Sequence, residues 1–117
     1  MRMKKFGNTG LVVSELCLGA MTFGGTEGIW AQIASLGQAQ ADELVKSAFD
    51  GGVNFFDTAD VYGDGRSERL FAKLKKERKE KFYIATKAGR RLPKQIIEGY
   101  TRKNLRSEER RVGKECW

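Results

Sequence analysis

Three side chains that can pair charges or exchange protons follow short apolar runs in the sequence. Asp57 comes directly after the run at residues 53–56, and Tyr62 follows five residues later. Lys87 comes directly after the run at residues 82–86. If both runs are neighbouring parallel strands, about 4.8 Å apart, a carboxylate and an ammonium at their ends can pair. A carboxylate, a phenol and an ammonium are also acid–base groups.

The remaining composition excludes several other kinds of site. The chain has 117 residues and no histidine, which removes the commonest general base, metal ligand and activator of a serine or cysteine nucleophile. Cys17 and Cys116 form neither a disulfide framework nor a zinc-site spacing, so we expect no metal site. Cys17 lies within an apolar run without an adjacent basic residue, which favours a small buried residue over a nucleophile.

The first elements that must position these side chains are predicted strands. Residues 3–6 and 11–14 are separated by the turn residues of Gly7-Asn-Thr-Gly10 and are typical of a β-hairpin. Residues 14–19 predict a strand that leads into a glycine-containing loop. The runs at residues 53–56 and 82–86 have the length of two further strands.

Helices are predicted between the strands. Residues 39–50 carry an apolar stripe and end at Gly51-Gly52. The members of that stripe are Ala41, Leu44, Val45, Ala48 and Phe49. Ser67 is a candidate N-cap for a second helix that runs to about Arg78, and Thr101 could cap a third.

Strands that alternate with single helices indicate right-handed βαβ units and a parallel sheet, which makes this an α/β protein. The reactive groups of a parallel barrel lie at the C-terminal ends of its strands, where the candidates above are found. A closed (β/α)₈ TIM barrel has eight strands and takes about 250 residues. The pattern therefore predicts a partial barrel, with an N-terminal β-hairpin and about three βα units.

Three segments of the chain resemble signatures of the aldo/keto reductase family. Residues 6–19 are similar to its opening hairpin and first barrel strand, and Phe55-Phe-Asp-Thr-Ala-Asp-Val-Tyr-Gly63 with Ser67-Glu68 resembles its second-strand signature. Ile84-Ala-Thr-Lys87 resembles its third. The resemblance covers roughly residues 3–106, and the signatures occur in the right order and spacing.

The resemblance implies an NADP(H)-dependent oxidoreductase that reduces aldehyde or ketone carbonyls of small molecules to alcohols. Hydride would come from NADPH, and Tyr62 would protonate the carbonyl oxygen. Lys87 would make Tyr62 a stronger acid, because a nearby ammonium favours a phenolate. Asp57 would hold Lys87 charged and lie near the nicotinamide ribose. The loop Gly19-Ala20-Met21 matches positions where the family's backbone approaches the cofactor.

The chain also departs from the family. The family's fourth catalytic residue is a histidine, which this chain lacks, and its loops for the adenosine end of NADPH would lie beyond residue 117. We therefore expect the chain to be an inactive N-terminal piece of the barrel, residues 1–106. Residues 107–117 lack the apolar stripe of a continuing helix and resemble a translated DNA-sequencing adapter, which predicts a non-native tail.

Alternatives remain open for each residue and for the whole chain. Asp57 and Asp60 could cap a turn, Tyr62 could be a half-buried loop aromatic, and Lys87 could be a surface lysine. The net charge of +7 allows a small nucleic-acid-binding module built on residues 73–81. Their alternating charges are more typical of a solvated helix face, so no nucleic-acid partner is expected. A fragment without any biochemical function is a third possibility.

The general composition is that of a globular protein. The chain is 40% apolar and 32% charged, with one proline. It has no apolar run long enough to cross a membrane and no signal-peptide pattern. These features predict a cytoplasmic protein without a membrane partner.

Overall fold

The computed structural model describes residues 1–25, 36–90 and 96–106, and it contains the predicted hairpin followed by alternating strands and helices. The elements in chain order are β1 (Met3–Lys5), β2 (Val12–Ser14), β3 (Leu18–Gly19), α1 (Gln38–Asp50), β4 (Phe55–Asp57), α2 (Arg66–Glu77) and β5 (Tyr83–Ala85). Short 3-10 turns lie at Tyr62–Gly65 and Ile97–Gly99. Residues 102–106 are helical as well.

The hairpin packs against the N-terminal side of the sheet. Strands β1 and β2 are antiparallel, with Lys4 opposite Val13. The Ser14 backbone N–H donates a hydrogen bond of 2.7 Å to Asn54 Oδ1, just before β4. The Phe6 ring lies 5.3 Å from the Phe55 ring. These contacts join the hairpin to the first residue of a sheet strand, and so fix where the sheet begins.

The other strands form a parallel sheet in the order β3-β4-β5. Gly19 pairs with Asp57, and Asp57 pairs with Ala85, so the C-terminal ends of all three strands are level. Each βα connection carries one helix, as the sequence predicts. The α/β class and the partial (β/α)₈ barrel are therefore confirmed.

The hydrophobic core lies between this sheet and the two helices, with Phe56 of β4 at its centre. The Phe56 ring lies 5.1 Å from Phe49 of α1, 5.5 Å from Phe71 of α2 and 5.5 Å from Phe82. Neighbouring strand residues point to opposite faces, so Phe55 and Asp57 face away from the helices. Within the described part of the chain, that face is covered only by the hairpin at its N-terminal end.

The helices differ from the sequence predictions at particular positions. Helix α1 begins at Gln38, where the Gln40 side chain accepts a hydrogen bond of 3.1 Å from the Gly37 N–H. Leu44, predicted in the apolar stripe, is exposed, because the stripe is centred on Ala41 and Val45 and Leu44 lies at its margin. Thr101 caps the third helix as predicted, through a hydrogen bond of 3.2 Å from the Asn104 N–H to its hydroxyl.

Helix α2 begins two residues earlier than predicted, and Ser67 is not its cap. The N-cap position belongs to Gly65, whose φ of 89° is left-handed, and Ser67 is a buried residue of the first turn. Its hydroxyl bonds elsewhere, as described below.

None of the helices in the described ranges is long and apolar enough to cross a membrane. The predicted non-native tail at residues 107–117 lies outside the described residues and remains a prediction.

Candidate active site

The register of the parallel strands brings Asp57 and Lys87 together at one edge of the sheet. Asp57 is the last residue of β4, and Lys87 follows the end of β5 by two residues. The Asp57 carbonyl accepts a hydrogen bond of 2.9 Å from the Ala20 N–H, and the Thr58 N–H donates one of 2.8 Å to the Ala85 carbonyl. The main chain at residues 57–58 is therefore hydrogen-bonded both to the loop after β3 and to the end of β5.

The Lys87 ammonium donates hydrogen bonds to both Asp57 and Thr58. Its Nζ lies 2.9 Å from each carboxylate oxygen of Asp57 and 2.7 Å from the carbonyl oxygen of Thr58. Partial desolvation lowers the pKa of Lys87, but hydrogen bonding and charge attraction from Asp57, with a further contribution from Tyr62, outweigh it and raise the pKa above its ordinary value. Lys87 therefore stays protonated at neutral pH.

Tyr62 lies against the same ammonium. The Lys87 Nζ is 5.1 Å from the centroid of the Tyr62 ring, which is cation–π distance. A side-chain hydrogen bond between the two residues also raises the pKa of Lys87. The structure thus collects the carboxylate, the ammonium and the phenol in one cluster, although Tyr62 comes from a loop and not from a strand end.

The loop that carries Tyr62 turns sharply immediately after it. Gly63 and Asp64 both have φ near 55°, in the left-handed region that favours glycine. A Cβ on Gly63 would meet the carbonyl oxygen of Phe23 at 2.6 Å and the backbone of Gly24 at 2.9 Å. The loop after β4 therefore lies directly on the loop after β3, and only glycine fits at the contact.

The loop residues predicted to approach a cofactor fall into two groups. Gly19, which pairs with Asp57, and Met21 are both exposed, and the space where a Gly19 side chain would lie is open among the described residues. Ala20 is fully buried, and both of its backbone polar groups have protein partners, Asp57 for the N–H and Ser67 for the carbonyl. The exposed floor of this region is therefore made by Gly19 and Met21.

Sequence reasoning missed the residues that support the cluster, of which Thr58, Ser67 and Glu68 are buried and Thr86 is exposed. The Thr58 and Ser67 hydroxyls are 2.8 Å apart, and Ser67 also donates to the Ala20 carbonyl over 3.4 Å. The Thr86 hydroxyl donates to Glu68 Oε1 over 2.7 Å. The helical spacing could have revealed Glu68. Glu68 precedes Phe71 by three residues and therefore lies on the apolar face of α2.

The expectation that Cys17 is buried is wrong. Cys17 is exposed, since it precedes β3 on the sheet face that the described residues leave open. Partial desolvation and the nearby Asp57 carboxylate raise the pKa of its thiol, against a lowering by Lys87. A raised thiol pKa leaves little thiolate at neutral pH, so Cys17 is a poor nucleophile.

The cluster has the chemistry of a proton donor supported by a fixed positive charge. A phenol can donate a proton, and the ammonium beside it supplies a positive charge at the same place. The carboxylate holds that ammonium in one place. Among the described residues, no atom lies within 4 Å of the place where a Cβ on Gly19 would be, next to Asp57.

Comparison with known proteins adds independent information about this arrangement. The model of the aldo/keto reductase family matches residues 15–116. A pyridoxal 4-dehydrogenase from Microbacterium luteolum is 38% identical over 87 residues, which are 74% of this chain and 24% of that protein. The chain thus spans about a quarter of the length of this curated relative.

Solved structures show the same similarity in three dimensions. A Pseudomonas aeruginosa protein assigned as an aldo-keto reductase superimposes with a TM-score of 0.78 at 30% identity, over 97% of this chain and 42% of that one. The aldo-keto reductase AKR11C1 from Bacillus halodurans superimposes with a TM-score of 0.66 at 27% identity, over 97% of this chain and 37% of that one.

Proposed function

The chain belongs to the aldo/keto reductase family, and from this we propose that the full-length protein carrying it is an NADP(H)-dependent oxidoreductase that reduces small carbonyl compounds to alcohols. The observation that carries the proposal is the contact between Tyr62, Lys87 and Asp57 at the C-terminal ends of the strands. Function in a barrel of this kind is located at that end.

In the proposed reaction Tyr62 is the proton donor. Its hydroxyl donates a proton to the carbonyl oxygen of the substrate as negative charge develops there, and the resulting phenolate is stabilised by Lys87. Asp57 and the Thr58 carbonyl keep the ammonium beside the ring. Water then reprotonates Tyr62, and the alcohol and the oxidised cofactor would leave before the next turnover.

The residues present fit a nicotinamide cofactor. Gly19 has open space on its Cα, and its strand neighbour Asp57 offers a carboxylate to a ribose hydroxyl. Met21 adds an exposed apolar side chain to the same floor. A bound NADPH supplies the hydride for the carbonyl carbon. We propose Gly19, Met21 and Asp57 as the cofactor-contacting positions. Ala20, which the family resemblance also implies, is buried beneath them and supports the loop.

The relatives suggest the substrate for a first test. The Microbacterium luteolum protein is named for pyridoxal, an aromatic aldehyde. Aromatic aldehydes are therefore a reasonable probe of the proposed activity, and NADPH absorbance gives a direct readout.

The contacts of the basic residues at positions 73–81 support this proposal over the nucleic-acid alternative. Lys75 donates a hydrogen bond of 2.9 Å to the Phe82 carbonyl, and its Nζ lies 4.7 Å from the centroid of that ring. The Arg78 guanidinium lies 4.6 Å from the centroid of the Phe49 ring. These cations cover the aromatic core, so part of the positive charge at residues 73–81 has a structural use.

The test measures NADPH-dependent reduction of an aromatic aldehyde by the full-length protein, by the 117-residue chain and by Tyr62→Phe. We expect activity in the full-length protein only. Tyr62→Phe should lower kcat at least about a hundredfold, the scale of a lost general acid. Tyr100→Phe, at an exposed tyrosine outside the cluster, is the matched control. Full activity in Tyr62→Phe would overturn the proposed role, and activity in the 117-residue chain would show that the remaining barrel is unnecessary.

A further inference from the structure

We propose that Glu68 is a positioning residue that holds Lys87 in the cluster by anchoring Thr86. The catalytic consequence of this inference rests on the proposed function, whereas the positional one does not. Glu68 acts through the strand end that carries Lys87.

Glu68 is a buried carboxyl residue in an unusual place. It lies in the first turn of α2 and is only 1% exposed, although a buried carboxylate is costly unless it is bonded. Two features offset that cost. The N-terminal end of a helix favours negative charge, and Glu68 Oε1 accepts the 2.7 Å hydrogen bond from the Thr86 hydroxyl.

Thr86 occupies the one position between the end of β5 and Lys87. The last paired residue of β5 is Ala85, opposite Asp57. The direction in which the chain leaves the sheet at Thr86 determines where the Lys87 side chain starts. A lysine side chain has four flexible bonds, so an unfixed origin would let its ammonium leave Asp57.

The neighbouring residue of α2 acts on the other partner of Lys87. Ser67 bonds the Thr58 hydroxyl, and the Thr58 carbonyl accepts a hydrogen bond from Lys87. Two consecutive residues of one helical turn therefore fix the ends of β4 and β5, the two strands between which the ion pair forms. This arrangement makes α2 a frame for the cluster and explains why its first turn is polar and buried.

The first experiment measures the position of Lys87 without any activity assay. Acetylation of each lysine by acetic anhydride at pH 8 is followed by peptide mass spectrometry on the full-length protein. Thr86→Val and Glu68→Leu should raise the acetylation rate of Lys87 about fivefold, the scale of one lost hydrogen bond. Thr86→Ser and Glu68→Gln, which keep the donor or the acceptor, should remain within about twofold of the parent rate.

Ser14→Ala is the matched control for the loss of a hydrogen bond made by a buried side chain. Ser14 is also a buried residue whose hydroxyl donates a hydrogen bond, here of 2.6 Å to the Leu16 carbonyl, but it lies at the end of hairpin strand β2. Its loss should leave the acetylation rate of Lys87 unchanged. Circular dichroism establishes whether each variant is folded. If Glu68→Leu is unfolded, the nearly isosteric Thr86→Val still tests the proposal.

The second experiment measures carbonyl reduction by the same variants. Thr86→Val should lower kcat about tenfold with KM within about twofold, because Lys87 then supports proton donation less well. The alkaline limb of its pH–rate profile should move to higher pH, and Thr86→Ser should restore both. A purely structural role would lower the amount of active protein without moving that limb.

The outcomes separate this inference from the proposed function. If Lys87 acetylation is unchanged in both Thr86→Val and Glu68→Leu, the positioning role is wrong, whatever the activity. If acetylation rises as expected but the parent protein reduces no aldehyde, the positioning role stands and the proposed function fails. If acetylation rises but kcat and the pH–rate profile do not change, the catalytic consequence is overturned.

Discussion

Lys87 and Asp57 form a two-oxygen ion pair across strands β4 and β5, with the ammonium 2.9 Å from each carboxylate oxygen. The two residues are thirty positions apart in the sequence. They meet because Asp57 pairs with Ala85 in the sheet and Lys87 comes two residues later. The pair is the most direct link between the strand register and the chemistry that we propose.

The first prediction concerns the pH dependence of this pair. The pKa of Lys87 is raised in the folded protein, so its contribution to stability is fully present below the ordinary pKa of 10.5 and is lost as pH rises through the folded value. A double-mutant cycle of Lys87→Met and Asp57→Asn should give a coupling of about 0.5 kcal/mol at pH 8, because both side chains are partly exposed. Urea unfolding at several pH values measures it. A coupling that grows toward pH 11 would contradict the assignment.

The second prediction concerns the turn after Tyr62. Gly63→Ala places a methyl group 2.6 Å from the Phe23 carbonyl oxygen, in addition to the strain of a φ near 55°. Gly7 has almost the same φ of 54° but open space around it, so Gly7→Ala measures the backbone strain alone. Each left-handed alanine should cost about 1 kcal/mol. Gly63→Ala should cost about 1 to 3 kcal/mol more, from the forced displacement of the loop.

Urea unfolding of the two glycine variants measures whether Gly63→Ala costs more free energy of unfolding than Gly7→Ala. Equal destabilisation by Gly7→Ala and Gly63→Ala would mean that the loops after β3 and β4 do not touch at Gly63. A fall in carbonyl reduction for Gly63→Ala alone would further link this contact to the placement of Tyr62.

The third prediction concerns the buried hydroxyl pair of Thr58 and Ser67. Ser67→Ala leaves the fully buried Thr58 hydroxyl without this partner and should destabilise the protein by about 1 to 3 kcal/mol. Adding Thr58→Val replaces the second hydroxyl with a methyl group of similar shape. The double variant should therefore recover part of the lost stability in urea unfolding, because replacing both partners by apolar groups can be nearly neutral. Additive losses would show that the two hydroxyls are not bonded to each other.

Much of the fold could be predicted because it depends on local pattern. The apolar runs and turn residues place the hairpin, the strands and both helices within a few residues of their observed bounds. The predictions are wrong where a side chain's environment depends on tertiary contacts, which the local sequence pattern does not encode. Ser67 has the residue type of a helix cap, but its hydroxyl bonds Thr58 across the core. Cys17 lies in an apolar run but is exposed, because the described residues leave its part of the sheet face open.

The sequence by itself determined the α/β class, the family and the identity of Asp57, Tyr62 and Lys87 as candidates, because signatures and strand ends are properties of order along the chain. Only the tertiary structure decided that these three side chains touch, that Ala20 lies beneath the site, and that Glu68 and Thr86 hold the end of β5. The physical reason is that these contacts depend on strand register and on helix placement over the sheet. Both are fixed by packing around Phe56, between residues that lie far apart in the sequence.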